Sequence, residues 1–370
     1  MSAAAGLARP LHFAIIGAGE VGRMHADAIT RLAPRAELAL VVDVSAERAD
    51  ALAATHGAQS GASVAAALAR ADLDAVAICT PSGGHSELAV AALDAGKHVV
   101  VEKPLDITLQ AARAVAAAEA RTGLTITVIS QHRFDAASVI VHDHVRSGRL
   151  GRITSGVASI AWWRAQDYYD SGDWRGSLAL DGGGALMNQG IHTLDLLVWL
   201  LGEPLTVFGW TDRLAHERIE VEDIAVATIR FASGALGVLH ATTAAFPGVT
   251  TRLQIHGDRG SAVIEADRLT YFHAGSKEEG VSAYGADATA NQAADVLPAQ
   301  YHEPVASANP GALQNHAHVE QYRDFLDAVE QRRRPLVTVA DAITTVSVIS
   351  AIYESAATGR PVAVSAAASG

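Results

Sequence analysis

One cysteine, Cys79, in a chain of 370 residues excludes an internal disulfide and any cysteine-built metal cluster. It ends the apolar run 75–79, where a thiol behaves as a small buried hydrophobe. Positive charge is scarce as well: 28 Lys and Arg stand against 40 Asp and Glu, a net of −12 that opposes general affinity for DNA or RNA. The one basic run, Arg332-Arg333-Arg334, precedes Pro335 and reads as the cationic end of a helix. No stretch reaches the roughly 18 successive apolar residues of a membrane span. The richest, 193–201, is interrupted by Asp195. Residues 1–10 lack a signal-peptide core and, like 365–370, read as a flexible tail, so a cytoplasmic protein is expected. Aromatic residues are only 5% of the chain, so a cluster of them is informative.

At this length two domains are expected, and the pattern changes near residue 131. Within 11–131, apolar runs at 13–16, 38–42, 75–79, 98–101 and 125–129 alternate with Ala-rich stretches of helical spacing. Apolar strands separated by helices predict an α/β fold, a doubly wound parallel sheet covered on both faces. Ligands of such sheets lie at the C-terminal ends of the strands. The first run leads directly into Gly17-Ala18-Gly19-Glu20-Val21-Gly22, a GxGxxG loop that opens a helix. Gly17 permits the tight turn, Gly19 lets the backbone approach a pyrophosphate, and Gly22 lets helix and strand pack closely. With the helix start at Glu20 and Val21, this predicts a dinucleotide site. Asp43 ends the second run, 21 positions beyond Gly22. A carboxylate there accepts hydrogen bonds from ribose hydroxyls and repels a 2′-phosphate, which favours NAD over NADP. Asp43 also suits a helix start, and the nearby Arg48 weakens the preference. After the third run, Thr80 and Pro81 shape a turn that must clear the cofactor. His85 either packs on the cofactor or begins the next helix.

The fourth run ends in Glu102-Lys103-Pro104, a charged pair stopped by proline where a group would project over the cofactor. On spacing alone, a salt bridge at a strand end explains it as well. Further on lies Gly182-Gly183-Gly184-Ala185-Leu186-Met187-Asn188-Gln189-Gly190-Ile191-His192-Thr193-Leu194-Asp195. On a helix, Asn188 and His192 share one face. Leu194, Leu197, Val198 and Leu201 give that helix an apolar side, and the glycines would let the backbone run close to a ligand.

Together these segments resemble the glucose–fructose oxidoreductase and inositol dehydrogenase (Gfo/Idh/MocA) family, over about residues 11–364. The resemblance implies a Rossmann domain followed by an α+β domain with a large, mostly antiparallel open sheet. It implies an NAD(P)-dependent oxidoreductase acting on a hydroxyl carbon of a sugar, sugar derivative or cyclitol. By the same likeness, Lys103 is the catalytic lysine that holds the reacting oxygen, and His192 is its partner in proton transfer. Glu102, Lys103 and Gln131 join the cofactor contacts, and Trp174-Arg175 lies beside nicotinamide and substrate. Asn188 departs from the pattern, because cyclitol dehydrogenases of the family carry an aspartate there. A neutral amide orients a histidine or a substrate but shares no proton, so the general base is either Lys103 or His192.

Within 132–364, assigned to substrate binding and oligomerisation, β-rich runs occur at 152–163, 205–211, 224–231, 235–242, 252–256 and 262–266. Turn signals at Ser233-Gly234 and Asp258-Arg259-Gly260 make the sheet mostly antiparallel, with the His192 helix on one face. The other face needs a cover, so a homodimer or homotetramer through the sheet is expected. Residues 162–175 hold five aromatics and two arginines in 14 positions. Trp163, Arg164, Tyr168, Trp174 and Arg175, with Asn188, are the candidate substrate contacts. Aromatic faces suit the C–H surface of a sugar ring, and arginine suits hydroxyls or a carboxylate. Trp163 and Tyr169 suit an ordinary core or interface equally well. Residues 281–310 read as a loop or lid, and His316 and His318 as the start of a helix or as substrate contacts. A closing helix near 341–358 stops at Gly359 before Pro361. No metal is expected: HExxH is absent, and His142 and His144, two apart, point to different helical faces. Three alternatives stay open: a nucleotide-sugar dehydrogenase, a sugar–sugar oxidoreductase with retained NAD, and a non-catalytic NAD-binding regulator.

Overall fold

The computed structural model describes residues 9–172, 174–275, 291–298 and 315–365. The apolar runs of the first third form β1 (Leu11–Ile16), β2 (Ala36–Val42), β4 (Ala75–Ile78), β5 (His98–Val101) and β6 (Ile126–Val128). An additional short, polar edge strand, β3 (Gln59–Gly61), carries no apolar signal in the sequence. All pair in parallel in the order β3-β2-β1-β4-β5-β6, a doubly wound sheet whose order reverses between β1 and β4. β4 is buried along its whole length, as a strand covered on both faces must be. Arg9, expected in a flexible tail, is tied to this unit by two hydrogen bonds to Asp74, 2.6 and 2.7 Å. The rest of the two expected tails, apart from Pro10 and Ser365, lies outside the described residues.

The core of this unit combines Phe13 and Ile15 of β1, Ile29 of the helix Glu20–Thr30, and Tyr322, Phe325 and Leu326 of the helix Asn315–Gln331. The Phe13 ring lies 5.8 Å from that of Tyr322 and 6.0 Å from that of Phe325. A single division after residue 131 is therefore corrected: the helix Asn315–Gln331 and the chain through Val346 belong with the first sheet. The apolar face of this helix is plain in the sequence, but its partner is not.

The second unit holds β7 (Ile153–Ala161), β8 (Pro204–Asp212), β9 (Ile224–Phe231), β10 (Leu236–Thr242), β11 (Arg252–Gly257), β12 (Gly260–Glu265), β13 (Arg268–Ala274) and β14 (Val362–Ala363). Their order is β13-β12-β11-β7-β10-β9-β8-β14, antiparallel except for the β7–β10 pair. β9 alternates buried and exposed positions from Ala225 to Phe231, the period-2 pattern of a sheet with one face in the core. Onto that face packs the helix Ile191–Leu201, through Leu194, Leu197 and Leu201. It approaches so closely that a Cβ on Gly156 of β7 would lie 2.7 Å from Leu197. Val348, Ile349 and Ile352 of the closing helix Val339–Thr358 join the same core. Gly359 ends that helix in the left-handed conformation, at φ +66°. The expected loop 281–310 lies outside the described residues apart from 291–298. No described helix is long and apolar enough to cross a membrane.

Candidate active site

The chain leaves β1 through Gly17, whose φ is +104°. A Cβ on Gly17 would lie 2.5 Å from the Cys79 carbonyl oxygen, and one on Gly22 would lie 2.1 Å from the Gly17 carbonyl oxygen. Backbone packing alone demands these two glycines. Gly19 differs, because nothing lies within 4 Å of a Cβ built there. It precedes a helix start that no side chain caps, with Glu20 and Val21 exposed on the first turn. An uncapped helix start facing open space suits an anion.

Asp43, buried at the end of β2, braces this loop. Its Oδ2 accepts the Ala18 N–H (2.7 Å), and its Oδ1 accepts the Ser45 N–H (2.8 Å) and the Arg48 guanidinium (2.7 Å). Burial favours the neutral acid, but Arg48 and the two backbone donors outweigh it and hold the carboxyl below its usual range. Thr80, just beyond β4, and Gln131, beyond β6, each bury a side-chain oxygen with no protein partner. Such an atom costs about 1–3 kcal/mol unless a ligand or water meets it. Open space at Gly19 and two orphaned oxygens at the strand ends fit a dinucleotide. Pro81 is exposed on the turn. His85 proves to be the start of a helix: its buried ring approaches the Pro104 carbonyl at 2.7 Å and the Thr80 carbonyl at 2.8 Å. Its two nitrogens are used in tying the loop after β4 to the loop after β5.

Glu102 is not a surface partner for Lys103. Its Oε1 lies 2.9 Å from Nε2 of the fully buried His25, and its Oε2 accepts the Lys103 backbone N–H at 3.1 Å. His25 Nδ1 in turn lies 2.6 Å from the Tyr322 hydroxyl, and the His318 ring is 5.8 Å away. Burial pushes the Glu102 pKa up, yet His25, His318 and Lys103 bring it well below the usual carboxylate range. For His25, burial opposes protonation, while Cys79, Tyr322 and Glu102 favour it and raise its pKa well above the ordinary value. A buried ion pair thus fixes the backbone from which the half-buried Lys103 projects. His316, by contrast, is exposed at the helix start.

In the second unit the glycine-rich segment serves a different purpose from the one expected. A Cβ on Gly184 would lie 1.7 Å from the Glu222 carbonyl oxygen, and one on Gly183 would lie 2.1 Å from the Tyr353 hydroxyl. The close approach is thus to protein. The Glu222 carboxylate accepts the N–H groups of Gly184 and Leu186, each at 2.8 Å, and the Tyr353 hydroxyl at 3.0 Å. Burial nevertheless raises its pKa, and those hydrogen bonds offset the rise only in part. The chain then forms a π turn, Ala185–Gly190, before the helix Ile191–Leu201, so Asn188 and His192 are not spaced by one regular α-helix. Such wide turns recur at functional sites. Asn188 Nδ2 donates to Asp181 Oδ1 (2.7 Å), whose other oxygen accepts the Gly176 N–H (3.0 Å). Gln189 Nε2 donates to the Tyr168 hydroxyl at 3.1 Å.

The His192 ring, half-buried, meets His132 edge-on at 5.2 Å. His132 Nδ1 lies 2.8 Å from Asp135 and 3.1 Å from Asp267. Burial disfavours its charge, but the two carboxylates more than offset this and raise its pKa to about 10. Asp267 is presented by a turn in which Ala266 and Asp267 both have positive φ, 46° and 62°. Among the aromatic candidates, Tyr168 carries the Arg164 and Arg175 guanidiniums over its ring, and Trp174 stacks with Arg175. Trp163 packs instead on Phe246 and His216, and Tyr169 is core, bonded to Thr243 at 2.8 Å. His216 links Asp223 (2.9 Å) to the Arg164 carbonyl (2.8 Å) and so anchors that arginine's backbone. Of the metal candidates, His142 stacks on Trp199 and His144 bonds the Ile140 carbonyl. Sequence reasoning missed His25, His132, Asp181, Gln189, His216 and Glu222. Only Gln189, beside Asn188, carried a local signal.

Residues 11–130 match the oxidoreductase family model with an NAD-binding Rossmann fold, and residues 139–263 match the GFO/IDH/MocA C-terminal domain. The inositol 2-dehydrogenase of Rhizobium meliloti (strain 1021) is 29% identical over 265 residues, 70% of this chain and 76% of that one. The 1,5-anhydro-D-fructose reductase of Ensifer adhaerens is 28% identical over 94% of this chain and 96% of its own. The WlbA dehydrogenase of Bordetella pertussis, solved with NADH and UDP-GlcNAcA, superposes with a TM-score of 0.85 at 28% identity, covering 97% of this chain and 99% of that one. With both of its domain models matched in order along the chain, this protein belongs to the Gfo/Idh/MocA oxidoreductase family.

Proposed function

We propose that this protein transfers hydride between NAD and a secondary hydroxyl or ketone of a sugar, sugar derivative or cyclitol. The observation that carries the reading is the uncapped, open helix start at Gly19 with the unpartnered oxygens of Thr80 and Gln131, on the unit that also bears Lys103. When bound, the nicotinamide supplies the hydride acceptor or donor. In the oxidative direction the C–H electron pair leaves as hydride, the hydroxyl proton passes to a protein base, and a C=O bond forms. Lys103 holds the reacting oxygen, its backbone fixed by Glu102. His192 shares the proton transfer, with either side chain as the base. Asp181 accepts a hydrogen bond from the Asn188 amide nitrogen and so helps to fix the orientation of that side chain. Asp43, ionised and next to the glycine loop, favours NAD. Trp174 and Arg175 flank nicotinamide and substrate, and Arg164 and Tyr168 complete the substrate contacts. A nucleotide-linked sugar is the second reading, favoured by the nearly full-length similarity to the WlbA dehydrogenase bound to UDP-GlcNAcA.

Lys103→Met and His192→Asn test these roles. Each is expected to lower kcat by about 10²–10⁴-fold, and the variant whose rate of oxidation no longer falls at low pH identifies the base. Losses below about tenfold in both variants would refute the assignment.

A further inference from the structure

We propose that the substrate carries an anionic oxygen group, carboxylate or phosphate, and that Arg164 and Arg175 receive it; the inference rests on the oxidoreductase reading above. The Arg164 Cζ lies 5.4 Å and the Arg175 Cζ 5.0 Å from the centroid of the Tyr168 ring. Arg164 also stacks on Trp162 at 4.9 Å, and Arg175 on Trp174 at 4.6 Å. Two like charges gathered at one ring repel each other, and each stacking contact returns only about 0.5–2 kcal/mol. Three arginines of this unit are neutralised by carboxylates: Arg133 by Asp195 at 2.7 Å, Arg218 by Asp170 at 2.6 Å, Arg252 by Glu265 at 3.2 Å. Among the described residues, the Arg164 guanidinium donates to the Trp163 carbonyl and that of Arg175 to the Ser171 hydroxyl, each at 3.2 Å. Among the described residues, no carboxylate forms an ion pair with either.

Independent of the charge, two buried polar atoms at the cluster have no partner: Arg175 Nε, a donor, and Gln189 Oε1, an acceptor. Gln189 is buried and bonded through its amide nitrogen to the Tyr168 hydroxyl, which joins the cluster to the π turn three residues before His192. An unpartnered guanidinium N–H suits an acid oxygen, and an unpartnered amide oxygen suits a hydroxyl. A polyol bearing an acid group supplies both, whereas a neutral sugar leaves two cations uncompensated.

Calorimetric titration of the NADH-loaded protein tests this, with glucose, galactose and mannose beside their uronates, aldonates and 6-phosphates. At least one charged ligand is expected to bind about tenfold or more tighter than its parent sugar, with the advantage shrinking as salt rises. Arg164→Gln and Arg175→Gln should each reduce that ratio about tenfold, while Arg164→Lys, which keeps the charge, retains part of it. The better of uronate, aldonate and 6-phosphate identifies the acid group. Equal binding of charged and neutral ligands, failure of every charged ligand to bind, or a preference that survives both glutamine variants would overturn the proposal. Failure of NADH itself to bind would strike the oxidoreductase reading instead.

Discussion

Asp43 is held ionised by Arg48 and two backbone N–H groups, and under the proposed preference for NAD it would repel the 2′-phosphate that distinguishes NADP. Asp43→Ser removes that repulsion and releases Arg48, so the ratio of NADPH to NADH dissociation constants should fall by about tenfold or more. An unchanged ratio would mean that Asp43 only braces the glycine loop. At His132 the consequence is one of stability. Its pKa is raised from 6.5 to about 10, so the stabilisation is complete below pH 6.5 and is lost as pH rises towards 10. Asp267 is half-exposed and screened by solvent, so the effect is about 1 kcal/mol. The difference in Tm between wild type and His132→Gln should therefore close between pH 6.5 and 10. A constant gap would show that His132 stabilises by packing alone. Neither His132–Asp267 nor His25–Glu102 was legible in the sequence, because each pair joins residues far apart in the chain. Lys103 and His192, by contrast, stood out through the residues next to them.

At the scale of elements, the glycines separate into two kinds. Gly22 and Gly184 are surrounded by backbone, whereas a Cβ on Gly19 meets nothing. Gly22→Ala is thus expected to destabilise the fold by about 1–3 kcal/mol or more. Gly19→Ala should leave Tm within about a degree or two while weakening NADH binding, since its added methyl enters the open space alone. Equal melting of the two variants would contradict the distinction, which thermal denaturation with and without NADH reads directly. The GxGxxG spacing gave the role of Gly22 correctly. The triplet Gly182-Gly183-Gly184 suggested a ligand, yet two of its members make room for Glu222 and Tyr353. Nothing in the spacing of glycines says what approaches them. Strands followed the same rule: β1, β5 and β9 were plain from apolar runs or alternation. β3 and β14 are two or three residues long and were invisible. The turn before β13 lacks the glycine or asparagine that marks hairpins, because Ala266 and Asp267 adopt positive φ there.

Over the whole molecule, the order of elements along the chain is a poor guide to their company. The helix Asn315–Gln331 follows the second sheet in sequence and packs on the first, a choice made by Tyr322 and Phe325 meeting Phe13. The large sheet keeps one face in its core and leaves Trp210, Val226, Leu236 and Val238 exposed on the other. Trp210 and Val226 are direct cross-strand neighbours. Such an apolar face on a charged protein supports assembly through the sheet. Light scattering is expected to give a dimer or tetramer, and Trp210→Glu to shift it towards monomer. A wild-type monomer would refute the sheet interface.

The most direct test of hydride transfer is to incubate the protein with NAD and the sugar, sugar-acid, cyclitol and nucleotide-sugar panel and follow reduced nicotinamide by absorbance, with Lys103→Met alongside. NADH formation with at least one substrate, lost by about 10²-fold or more in the variant, is the predicted result. NAD binding without reduction by any member of the panel, or turnover that Lys103→Met leaves intact, would contradict it.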